Sequence, residues 1–164
     1  MTDSAVTKPD LAPLATGLGT RVTPSHLIHN VADTDATIRF YRDIFGAGVE
    51  KDMEIASPAL DAMLGRTGVR IRSTFIDAGG YRLHTIERLD ERRSSGTSRV
   101  AGMGLTGLSF AVDDLGAARQ TAIDAGYTPT PIYDVDLGDV RFNAKMFFIA
   151  DPDGVGCELV EYPK

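Results

Sequence analysis

The stretch Phe147-Phe148-Ile149-Ala150-Asp151-Pro152-Asp153-Gly154-Val155-Gly156-Cys157-Glu158-Leu159-Val160-Glu161 reads as strand, tight turn, strand. Pro152 presets φ for a turn, and Asp153-Gly154 supplies the reversal. The second strand sets Glu158 among apolar neighbours. A carboxylate buried there without a partner would be costly. Glu158 therefore either faces water or holds a cation.

Outward from this hairpin, the preceding pattern is a strand near 108–112 and a helix capped by Asp113-Asp114. Its apolar positions Leu115, Ala118 and Ala122 are spaced i, i+3, i+7. Gly126 ends it, and short strands are predicted at 130–133 and 141–149. The first half repeats the order. His26-Leu27-Ile28-His29-Asn30-Val31 is a strand, and Asp33 caps a helix with Ile38, Tyr41 and Phe45 on one face, stopped by Gly46 and Gly48. Strands follow at 49–54, 69–76 and 81–87, the last two joined by Gly79-Gly80. Ser57-Pro58 starts a short inserted helix over 58–64, closed by Gly65.

The halves superpose by sequence. An offset of 81 carries Val31 to Val112, Asp33 to Asp114 and Ala36 to Ala117. An offset of 74 carries His84 to Glu158, Ile86 to Val160 and Glu87 to Glu161. The inserted helix accounts for the difference. Each half is therefore strand–helix–strand–strand–strand, too small to stand alone, and pairing the two is expected to bury the helix-free face of each sheet. The expected class is α+β, two βαβββ modules. Module one spans 22–89, a polar linker 90–104 and module two 105–164, all one domain; residues 1–21 read as a loose arm.

Composition bounds the function. The chain has 164 residues, 43% hydrophobic and 24% charged, which suits one domain with a real core. Seventeen basic against 23 acidic residues leave a net charge of −6, which argues against a nucleic-acid surface. Arg82, Arg88, Arg92, Arg93 and Arg99 read as a solvated strand end and loop, or else as an anion-binding rim. A single cysteine, Cys157, makes no internal disulfide. No apolar run approaches a membrane span, and residues 1–21 do not read as a secretory signal. The expectation is a cytoplasmic protein.

The three histidines are His26, His29 and His84. Strand alternation puts Arg82, His84, Ile86 and Arg88 on one face, and Glu158, Val160 and Tyr162 on one face. Cys157, Glu87 and Glu161 point the other way, and His29 points to the helix side or to solvent. Two imidazoles and a carboxylate from different strands suit a divalent metal with open positions. The same residues also read as strand-edge polar groups, with Glu158 paired to an arginine.

Three stretches together resemble the vicinal oxygen chelate superfamily of glyoxalase I, methylmalonyl-CoA epimerase, extradiol dioxygenases and bleomycin-resistance proteins. They are His26–Asp33 with Phe40-Tyr41-Arg42-Asp43-Ile44-Phe45-Gly46; Phe110-Ala111-Val112-Asp113-Asp114; and Asp151-Pro152-Asp153-Gly154 leading to Glu158. The resemblance covers residues 24–162. It implies that the two modules form a cupped mixed sheet with a metal in the cup, held at the positions of His26, His84, Gly107 and Glu158. Gly107 departs from the pattern, since histidine is common there and glycine offers no side chain. What the resemblance implies for function is a metal-dependent isomerase or lyase acting on a small oxygen-chelating substrate through an enolate-like intermediate. The ligands would be His26, His84 and Glu158, with Glu158 doubling as base, and Arg82, Arg88 and Tyr162 would hold substrate. The metal would be Fe, Ni, Co, Zn or Mn. A non-haem Fe(II) dioxygenase and a metal-free drug-binding protein are the competing expectations. A homodimer is expected, with no nucleic-acid or membrane partner.

Overall fold

The computed structural model describes residues 25–91, 107–137 and 142–163. The expected arm, most of the linker, and Arg92, Arg93 and Arg99 lie outside the described residues. The element order is β1 (Leu27–Val31), α1 (Thr34–Phe45), β2 (Gly48–Ile55), α2 (Pro58–Leu64), β3 (Ile71–Ala78), β4 (Tyr81–Arg88), β5 (Gly107–Ala111), α3 (Leu115–Asp124), β6 (Tyr133–Leu137), β7 (Phe142–Ala150) and β8 (Gly156–Glu161). No helix among the described residues is long and apolar enough to cross a membrane.

The duplication extends to strand register. The two four-stranded sheets have the orders β1-β4-β3-β2 and β5-β8-β7-β6. In each, the first strand pairs parallel with the last, and the other pairs are antiparallel. Ile28 sits opposite His84, and Ser109 opposite Glu158. These are equivalent pairs under the offsets of 81 and 74.

The helix starts are built identically. The carboxylates of Asp33 and Asp114 accept from the backbone N–H of Ala36 at 2.9 Å and of Ala117 at 2.8 Å. One residue on, the last strand reaches across. Glu87 Oε2 accepts from the Thr34 N–H at 3.0 Å, and Glu161 Oε2 accepts from the Leu115 N–H at 2.8 Å. Each pair of carboxylates satisfies two of the orphan donors at a helix start and places negative charge at its positive end. Gly46 closes α1 in the left-handed conformation, φ 64°, which favours glycine.

Two strand boundaries differ from the sequence expectation. No strand forms at 130–132; β6 begins at Tyr133. Pro129 and Pro131 lack the N–H a ladder needs, and Thr130 instead clamps β7. Its N–H donates to Phe148 O at 2.8 Å, and its hydroxyl accepts from Phe148 N–H at 2.9 Å. In the first module, β3 starts at Ile71 rather than Val69, because Asp61 of α2 accepts from the N–H groups of Gly68 and Val69 at 3.0 and 2.9 Å.

The main core lies on the helix side of both sheets. Phe40 and Tyr41 of α1, Leu115 and Ala122 of α3, Ile76 and Leu83 of the first sheet, and Phe147, Cys157 and Leu159 of the second form one buried cluster. The α1 stripe is centred on Tyr41 as expected, but Thr34 and Thr37 are fully buried with it while Ile38 and Phe45 only border the core. The expected burial of the helix-free faces is not how this chain packs on itself. α1 packs against α3, and the opposite faces stay open at His26, Ile28, Met53 and Ser109, with Ile28 64% exposed. α2 and the segment after it cover part of that face in module one, through Leu60 and Val69 on Ile71 and Ile86.

Each module seats its first strand or helix on the other's hairpin turn. At one junction Asp153 Oδ1 accepts from the Ala32 N–H at 2.9 Å, and the Tyr41 hydroxyl donates to Asp151 Oδ2 at 3.2 Å. At the equivalent junction the Tyr81 hydroxyl donates to Ser109 O at 3.3 Å, and the rest of the contact is apolar. Phe110 lies beside Gly79 and stacks on Phe45 with centroids 3.9 Å apart.

Candidate functional site

The site grows from the two-residue turn Gly79-Gly80. A turn of that length sets register, and it brings Phe75 opposite His84. The His84 ring lies flat on Phe75, centroids 4.3 Å apart and planes 7° apart. His26, one residue ahead of β1, meets both rings edge-on, 5.3 Å from His84 and 5.4 Å from Phe75. Ser73, buried at 3% exposure, hydrogen-bonds His84 Nε2 at 2.8 Å. Ser25 Oγ lies 2.9 Å from His26 Nδ1. Burial, then the neighbouring His26 and Arg82, push the His84 pKa down. The imidazole is thus neutral near pH 7, the state a metal ligand requires.

The other expected residues stand as follows. Arg82 has its guanidinium 4.6 Å from the Phe75 centroid, a cation–π contact, and donates from Nε to Glu50 Oε2 at 2.7 Å. Arg88 is committed elsewhere, with two bonds to Asp90 at 2.9 and 2.6 Å and a contact with Glu91 at 3.2 Å. Asp90 is held below the usual carboxylate range by that guanidinium. Tyr162 follows β8 and is 53% exposed. Glu158 is half-buried, and its Oε2 accepts from the Ser109 hydroxyl at 2.5 Å. Gly107 is closely approached: a Cβ there would lie 2.5 Å from the carbonyl oxygen of Gly156. The glycine is what lets β5 run so near β8.

The structure therefore brings His26 and His84 together, with Phe75 and Arg82 beside them. Among the described residues, no group of three or more His, Cys, Asp or Glu side chains is close enough to hold a metal ion. The donor set fits one flank of a divalent site: two adjacent imidazoles, one held neutral, on an open sheet face. The carboxylate that would complete the set occupies the register-equivalent place in the other module. Ser73 and Phe75 were not singled out from sequence, although the register fixed by Gly79-Gly80 and strand alternation would have paired Phe75 with His84.

His29 takes no part in this pair. It points to the helix side, where its Nε2 is 3.6 Å from Asp151 Oδ2. Asp151 Oδ1 also accepts from the N–H groups of Asp153 and Val155 at 3.0 and 2.8 Å. Cys157 is buried beside this cluster, and burial pushes its thiol up to about 12, so it is no nucleophile.

Comparisons with known proteins agree with this architecture. The chain is similar to SMU.1112c, 25% identical over 85% of this chain and 98% of that one, with a TM-score of 0.62. It shares its fold with a glyoxalase family protein from Enterococcus faecalis (22% identity, 85% and 97% coverage, TM-score 0.63). It also shares its fold with a glyoxalase family protein from Bacillus cereus (15% identity, 90% and 98% coverage, TM-score 0.73). No curated protein matches the chain. The family model for the Glyoxalase/Bleomycin resistance protein/Dioxygenase superfamily matches residues 23–159, nearly the whole of both modules, and the chain belongs to that superfamily.

Proposed function

We propose that the chain is a divalent-metal-dependent isomerase or lyase acting on a small substrate with two neighbouring oxygens. Its site would be completed between two copies: His26 and His84 from one, Glu158 from the other. The observation that carries this reading is that His84 and Glu158 hold equivalent register positions on open faces, while among the described residues no third His, Cys, Asp or Glu stands close enough to the His26–His84 pair to hold an ion with it. A twofold dimer that sets module one against module two of its mate would form two such sites.

A bound divalent ion would polarise the substrate's oxygens as a Lewis acid. His26 and His84 would hold it through neutral nitrogens. Glu158, with Oε2 already accepting from Ser109, would complete the ligand set through its other oxygen and, on leaving the ion, take a proton from the substrate carbon next to the polarised oxygen. Arg82, at the edge of the pair and stacked on Phe75, would hold an anionic substituent. Phe75 and Ile28 supply apolar wall.

Metal analysis of the protein purified without added metal tests this reading. It predicts one ion per chain, lost in His84→Ala, and no oxygen uptake on turnover. Iron with oxygen uptake would favour the dioxygenase chemistry instead. A second reading, a metal-free binding protein, is favoured by one observation: the carbonyl of Gly156 leaves no room for a fourth ligand at 107. A protein without metal that is not stabilised by added divalent ions would establish it.

A further inference from the structure

The His84 ring is held on three sides. Phe75 covers one face, His26 meets it edge-on, and Ser73 engages Nε2 at 2.8 Å. Among the described residues Nδ1 has no hydrogen-bond partner, and it is not buried. It is the ring nitrogen left to the open face. Ser73 itself is almost fully buried in the centre of its sheet, on β3 between β2 and β4, and its hydroxyl oxygen faces this ring.

We infer that Ser73 is a positioning residue: its oxygen accepts the proton on Nε2 of His84 and so leaves the Nδ1 lone pair as the atom offered to a ligand. The inference rests on the proposed divalent site, because an ion needs a lone pair and Nδ1 is the nitrogen with room for one. A neutral imidazole carries a single N–H, so a bond that fixes it on Nε2 also fixes which atom can ligate. Phe75 adds the orientation, since a ring stacked at 4.3 Å cannot swing about its bond without losing that contact.

The test uses the full chain labelled with 15N in histidine, stripped of metal, at a pH where imidazoles are neutral. Long-range 1H–15N spectra report which nitrogen bears the proton. The expected result is a single Nε2–H tautomer for His84. Ser73→Ala would mix the tautomers, and Ser73→Thr, which keeps a hydroxyl, would restore the single form. Zinc ion added alone should then move the Nδ1 resonance and leave Nε2 protonated, and Ser73→Ala should weaken zinc about 10- to 100-fold. An Nδ1–H tautomer in the wild type overturns the inference, as does zinc displacing the Nε2 proton. If the wild type shows Nε2–H yet zinc moves neither nitrogen, the role of Ser73 stands and the metal reading falls. If Ser73→Ala does not fold, an Nδ1–H tautomer in the wild type still overturns the inference.

Discussion

His84 lies flat against Phe75, its cross-strand partner in the hairpin closed by Gly79-Gly80, with ring centroids 4.3 Å apart. The contact, together with the Ser73 hydrogen bond, sets the plane of the imidazole. Phe75→Leu keeps apolar bulk and loses the stack. Such stacks contribute about 1 kcal/mol beyond buried area. We expect zinc affinity to fall roughly fivefold with the fold intact, measured by titration calorimetry against the circular dichroism spectrum. Unchanged affinity would show that the stack does not orient the ring.

Glu87 and Glu161 perform the same task in the two modules, each accepting from the first N–H of a helix. Glu87→Ala and Glu161→Ala should each cost about 1 kcal/mol, in the range of lost helix caps. The helices belong to different modules, so the double variant should lose about the sum. Urea unfolding midpoints measure this. A neutral effect at either position would mean that water serves that helix start as well as the carboxylate does.

Asp151 gives a pH signature. Burial holds its carboxyl above the ordinary carboxylate range, against the opposing pull of His29 and of the N–H groups of Val155 and Asp153. A raised folded-state value means that the folded chain binds the proton more tightly than the unfolded one. That contribution is full below the unfolded value near about 4 and is lost as the pH rises through the folded value. Wild-type stability relative to Asp151→Asn should therefore fall as the pH is raised from the ordinary carboxylate range toward neutrality, read from urea midpoints. A difference that grows with pH would mean that His29 outweighs burial.

Gly107 stands where the resemblance to the superfamily implies a ligand and glycine offers no side chain. Because a Cβ there would meet the Gly156 carbonyl at 2.5 Å, Gly107→His should not restore a fourth ligand. It should destabilise the chain by about 1–3 kcal/mol, the range for overpacking, and leave zinc affinity no better. A stable variant that binds zinc more tightly would show that β5 can move away from β8 at little cost.

Much of the fold was legible because short-range chemistry wrote it twice. Asp33 and Asp114 announce helix starts, Gly79-Gly80 and Asp153-Gly154 announce hairpins, and the offset between Ile28–His84 and Ser109–Glu158 survives as register. What was not legible depends on long-range packing. Pro129 and Pro131 delay β6 until Tyr133, while Thr130 spends its polar groups on Phe148. Alternation told which face His84 and Glu158 take, but it could not tell whether the two faces meet in one chain. That depends on α1 packing against α3, and on Tyr41 and Ala32 meeting Asp151 and Asp153, which lie 110 and 121 residues away in sequence. Arg88 looked available by parity, yet Asp90 and Glu91, next along the chain, hold it.

The central claim is that one copy's His26 and His84 share an ion with a second copy's Glu158. Mixing two variants tests it directly. His84→Ala and Glu158→Ala should each bind no zinc alone. Unfolded together and refolded, they should form mixed dimers in which one of two sites is whole, recovering roughly a quarter of the wild-type zinc by random pairing. Zinc bound per chain, measured after gel filtration, gives the answer: recovery near that level supports the shared site, and no recovery from a mixture that has formed dimers contradicts it.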